Sequence, residues 1–129
     1  MYKEIIICLI IVITIIIGNV ITQNYTKDKI EAISVDLIQL RQELSNKDID
    51  WEKSRQYFEN INKDWYNMKN NMSYFIEHDE LEKVENNFTG LKSFIETQEN
   101  AEAINELDKG VFTLKHIEDK NSLNLKEVY

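Results

Sequence analysis

Proline is absent from this chain of 129 residues, and glycine occurs only three times. Chain punctuated so sparsely cannot make the many tight turns of a β-sandwich or barrel, whereas long helices tolerate it well. Cysteine occurs once, at Cys8, inside an apolar run. That excludes a disulfide framework and leaves the rest of the chain without a thiol nucleophile. Basic charge is also scarce: 15 Lys and Arg stand against 23 Asp and Glu, a net charge of −8. An acidic surface repels phosphate backbones, so no nucleic acid is expected as a partner. There is no glycine-rich phosphate loop, no calcium-loop pattern and no C-x-x-C pair.

What the chain does have begins at once. After Lys3 and Glu4, an Ile-rich apolar run extends from Ile5 to Ile21, broken only by Thr14, Gly18 and Asn19. It covers about 17 residues, or roughly 26 Å of helix, the short end of what crosses a hydrocarbon core of about 30 Å. Tyr2 and Lys3 can extend it, one as an interfacial aromatic and the other by snorkelling. The exit Gly18-Asn19-Val20-Ile21-Thr22 lacks the small-residue pair of a signal-peptide cleavage site, and no lipobox precedes Cys8. We therefore expect residues 1–23 to form an uncleaved transmembrane anchor and 24–129 an extracytoplasmic acidic helical domain. Lys27 and Lys29 follow the run while Lys3 precedes it, so basic charge does not set the orientation. The short head before an apolar run is the layout of a signal-anchor, which puts the N-terminus in the cytoplasm.

Beyond the run, apolar residues recur at intervals of three and four. One series is Ile30, Ile33, Leu37, Leu40 and Leu44. A second is Phe58, Ile61, Trp65, Met68, Met72 and Phe75, with Trp51 seven residues upstream. A third is Leu81, Val84, Phe88, Leu91 and Ile95, and a fourth Ile104, Leu107, Val111 and Leu114. Each marks one face of an amphipathic helix. The expected fold is all-α: the anchor, then an antiparallel four-helix bundle of two hairpins, with helices near 27–45, 50–76, 80–97 and 100–117. The first and third series match at an offset of 51 residues. A duplicated hairpin explains that, and so, more simply, does heptad spacing itself.

The breaks have local signals. Asp48 or Asp50 can cap the helix entering at Trp51. Asp79 followed by Glu82 has capping-box spacing, and Asn100 can cap the fourth helix. Glu118 to Ser122 is expected to end that helix, leaving an apolar tail free to fold back. The second break is the weakest: neither glycine nor proline separates Phe75 from Leu81. A hairpin is preferred to one long helix because it gives Trp51, Phe58, Trp65 and Phe75 a facing core, worth roughly 1.5–3 kcal/mol each.

Two constellations invite a functional reading. His78-Asp79-Glu80 is the nearest thing to a site, but a metal needs three or four converging ligands and only His116 stands ready to join. A helix-turn cap accounts for the motif with less. Trp51, Phe58, Trp65 and Tyr66 concentrate aromatics on the second helix. Core packing explains most of them. A partner face is the functional alternative, because Trp and Tyr dominate interface hot spots. No catalytic residue, metal or cofactor is expected, since no nucleophile stands paired with a base.

These residues also carry a resemblance. The Ile-rich head, Asp50-Trp51-Glu52-Lys53, Trp65, the stretch from Ser73 to Glu80, Leu91-Lys92-Ser93-Phe94-Ile95, Glu106-Leu107, His116-Ile117 and Leu123-Asn124-Leu125-Lys126 together resemble the bacterial family known as domain of unknown function 4363. The resemblance covers nearly the whole chain. It implies a single-span protein of monoderm, often spore-forming, bacteria, encoded beside small multi-spanning membrane proteins, and it implies no activity. The expectation is a non-enzymatic membrane-anchored interaction module that binds another envelope or integral-membrane protein. Two alternatives stand beside it: a small-ligand or metal-binding module around His78, and a coiled-coil envelope or division scaffold. The scaffold would be a homo-oligomer zipped through Ile30–Leu44.

Overall fold

In a computed structural model the chain is all-α, with α1 Tyr2–Leu44, α2 Trp51–Met72, α3 His78–Glu96 and α4 Asn100–Val128. The structure describes residues 2–72 and 76–128; the side chains of residues 19, 22, 23, 72 and 121–128 lie outside the description, as do the expected positions of Met72 and Phe75 in the second stripe. The four helices close into an antiparallel bundle, each packed against two neighbours. The second break is a hairpin, with Ile76 and Glu77 non-helical before α3.

The stripes make the core. Ile30, Ile33, Leu37, Leu40 and Leu44 are at most 1% exposed and pack with Ile61, Trp65 and Met68 of α2, Leu81, Val84, Phe88, Leu91 and Ile95 of α3, and Leu107 and Leu114 of α4. Phe88 is the aromatic centre: its ring meets Trp65 edge-on at 5.8 Å and Phe58 edge-on at 6.4 Å, the geometry that ring quadrupoles favour. The stripe Ile30–Leu44 is thus used within the chain's own bundle.

The turns follow from local hydrogen bonding. α1 stops where the Ser45 hydroxyl and N–H both donate to the Arg41 carbonyl. Glu43 then clasps the first hairpin, accepting from the Asp50 N–H at 3.0 Å and the Asn46 amide at 3.3 Å. Asp50 caps α2, its carboxylate accepting the Lys53 N–H at 3.0 Å. Between α3 and α4, Gln98 takes φ 57° and Glu99 donates its N–H to the Phe94 carbonyl at 2.8 Å. This closes the helix with a left-handed residue, where glycine is the usual choice.

Three expectations are corrected. α3 begins at His78 with Glu77 at the N-cap and no side-chain cap bond, so Asp79 and Glu82 do not form the capping box. Asp79 lies within the first turn, where its charge favours the helix dipole. Asn100 is the first residue of α4, not its cap, and α4 continues past Ser122 to Val128. Nothing between Glu118 and Val128 breaks a helix, since the segment has neither glycine nor proline. α1 is continuous through residues 23 and 24.

The two halves of α1 differ sharply. From Tyr25 onward it packs into the core. Before that, Ile5, Ile6, Ile7, Leu9, Ile10 and the other large apolar residues through Ile21 are exposed, Ile16 alone being half-buried. Among the described residues, no helix is long and apolar enough to cross a membrane.

Candidate functional site

The His78 turn sits where α3 begins, at the end of the bundle reached by the last turns of α4. His78 and Asp79 are exposed, whereas Glu80 is turned inward and only 7% exposed. The helical register explains this: Glu80 precedes the buried Leu81 and faces α4. The structure brings His116 to Glu80, not to His78. His116 Nε2 stands 3.8 Å from Glu80 Oε1, and Lys83 Nζ stands 3.9 Å from the same oxygen. Both separations exceed hydrogen-bonding range. Glu80 Oε2 is buried without a hydrogen-bond partner among the described residues.

One turn away, Lys120 pairs with Glu77 at 3.0 Å. That hydrogen bond, with the charge of Glu77 behind it, raises the Lys120 ammonium above its ordinary value. Together these contacts fasten the end of α4 to the start of α3. Among the described residues no group of three or more His, Cys, Asp or Glu side chains converges to hold a metal ion. Glu80 and His116 alone offer two ligands, short of the set that a transition metal needs.

The aromatic candidates separate by depth. Trp65 and Phe58 are core residues at 1% and 4% exposure. Trp51 is half-buried, and Tyr66 is exposed with Lys69 over its ring. The Trp65 indole N–H is buried with no acceptor among the described residues. Exposed apolar side chains on the bundle are Val35 and Ile38 on α1, Tyr66 on α2 and Phe112 on α4. Phe112 stands beside an open hollow lined by Lys83, Asn87, Lys109 and Thr113. A second hollow lies between Arg55 and Glu59 of α2 and Lys92 and Glu96 of α3. Sequence reasoning missed the burial of Glu80 and the exposure of Phe112. A lone charged residue carries no periodic signal, and Phe112 falls one position past a stripe residue.

The family profile of a domain of unknown function, DUF4363, matches residues 20–128. The chain belongs to the DUF4363 family. The match spans the core-forming part of α1 and the whole of α2, α3 and α4. No curated protein and no solved structure matches the chain.

Proposed function

We propose that this DUF4363 protein is a non-enzymatic, membrane-anchored helical module. Its N-terminus is cytoplasmic, and its acidic bundle lies outside the membrane and binds another envelope or integral-membrane protein. The observation that carries the anchor is the first half of α1, which exposes apolar side chains on every side. A helix apolar all round is stable only when surrounded by apolar material, and the bundle supplies none. The run of about 17 residues spans roughly 26 Å, a few ångströms less than an average bilayer core. Local thinning and snorkelling of Lys3 accommodate that shortfall. The non-enzymatic reading is supported by the small four-helix bundle itself, which offers little cleft in which to shelter a reaction.

Alkaline extraction of membranes from cells producing the full chain tests the anchor. The protein should stay with the lipid. Ile10→Lys combined with Ile13→Lys should release it and leave the melting of the bundle unchanged, because neither residue touches the core. Recovery of the parent in the soluble fraction would refute the anchor. Purification from the native membrane, followed by mass spectrometry, tests the partner. A specific integral-membrane protein should co-purify and be lost when Tyr66 and Phe112 are replaced by Ser.

A further inference from the structure

The continuity of α1 fixes more than an anchor. The apolar run ends at Ile21, and Tyr25, four residues on, already packs against the core. At 1.5 Å per residue that gap is about 6 Å, with no linker in it. Tyr25 also marks the level of the end of α2, because its hydroxyl accepts a hydrogen bond from the Asn71 amide at 2.8 Å. α3 starts at His78, at the same end of the bundle. α4 reaches the same level from below. Arg41 and Asp108 are joined at 2.9 Å and mark the antiparallel register of α1 and α4. Sixteen residues lead from Arg41 back to Tyr25, and sixteen lead from Asp108 on to Asn124. The last turn of α4, through Val128, therefore stands level with the end of the apolar run.

Resting on the anchor reading, we infer that this end of the bundle is a second membrane contact: Tyr25, the His78 turn and the last turns of α4 meet the headgroup layer of a bilayer, and the bundle stands on it end-on. The occupant that fits is a zwitterionic lipid surface. The end carries Lys27, Lys29 and Lys120 together with Asp28, Glu77, Asp79 and Asp119, so it offers both signs and no excess of cations to favour an anionic surface. The opposite end, at the Ser45–Asp50 turn, is at least 23 residues of helix from Ile21, about 34 Å, and stands clear of the lipid.

Fluorophore labels on single cysteines test this in the full chain reconstituted in phosphatidylcholine vesicles, with quenchers carried on the lipids. The natural Cys8 reports the anchor. In a Cys8→Ser background, Asn124→Cys reports the near end, His78→Cys provides an independent reporter at the same end, and Lys47→Cys reports the far end. Headgroup-level quenchers should reduce emission several-fold at positions 124 and 78 and leave position 47 unchanged, while tail-level quenchers act at Cys8. If Cys8 is quenched but positions 124 and 78 behave like 47, the end-on contact is wrong and the anchor stands. If Cys8 itself is not quenched, the anchor reading fails and the contact fails with it.

Discussion

Gly110 lies against the edge of Phe88: a β-carbon built on Gly110 would stand 3.2 Å from Phe88 Cε1. Phe88 cannot move aside, because Trp65 and Phe58 hold its ring from two directions. Gly90, facing α4 from the other side of the same contact, differs. There a β-carbon would meet the side chain of Glu106 at 3.1 Å, and a half-buried Glu can swing away. Replacing helical Gly by Ala gains up to about 1 kcal/mol of helix propensity. Gly90→Ala should therefore stabilise by about 0.5–1 kcal/mol. Gly110→Ala should destabilise by about 1–3 kcal/mol through overpacking. Thermal melts of the two variants should shift in opposite directions. Equal shifts would mean that α3 and α4 do not approach as closely as described.

Trp65→Ala should cost about 3–5 kcal/mol, the range for large aromatic truncations in cores. Trp65 is 1% exposed and forms one of the two edge-on contacts of Phe88. Set against a total stability of about 5–15 kcal/mol for a domain, that loss removes a large part of the fold. Tyr66→Ala, on the outer face, should melt within a few degrees of the parent. A mild loss at Trp65 would move that residue to the surface.

The sequence made the helix faces legible because the burial of a whole stripe depends only on spacing. Ile30 to Leu44 and Leu81 to Ile95 all turned out to be core. The fourth stripe was less well read. Ala103, Leu107, Gly110, Leu114 and Ile117 face inward, while Ile104 and Val111 are only half-buried. Small residues at 103 and 110 let the helices approach, and a count of large apolar residues gives them no weight. The His78 turn was legible as a break but not in its chemistry. Which of its residues meets His116 depends on helical register across the α3–α4 contact, and Glu80 carries no apolar signal that would place it inside.

Asp36 gives a pH-dependent prediction. Burial, first, and the neighbouring charge of Asp64, second, raise its carboxyl above the usual range. The folded chain thus holds that proton more tightly than the unfolded chain does. The resulting stabilisation is full below the ordinary carboxylate range and is lost as pH rises through the raised folded value. At neutral pH the ionised Asp36 opposes folding. Asp36→Asn should therefore raise the melting temperature at pH 7, by no more than a few tenths of a kcal/mol after solvent screening, and the gain should vanish below about pH 4. Parallel melting curves for parent and variant across that range would remove Asp36 from the pH response.

Glu80 is the strongest remaining test of whether the α3–α4 end is structural or a site. Its carboxylate is almost fully buried, one oxygen has no partner among the described residues, and near the other the His116 Nε2 and Lys83 Nζ stand at 3.8 and 3.9 Å, beyond hydrogen-bonding range. A buried charge paired this loosely regains little of its desolvation cost, and replacing such a group by an apolar residue of similar size is often neutral or stabilising. Glu80→Met should accordingly be neutral or stabilise by about 1 kcal/mol. His116→Ala should destabilise, because it leaves the buried carboxylate with Lys83 alone, and in the Glu80→Met background it should cost almost nothing. That double-mutant comparison separates the pair from the packing of either residue alone. Protein purified from its own membrane should show no stoichiometric transition metal. A metal retained there and lost in both Glu80→Met and His116→Ala would make Glu80 and His116 ligands, and the charge would then be kept for binding.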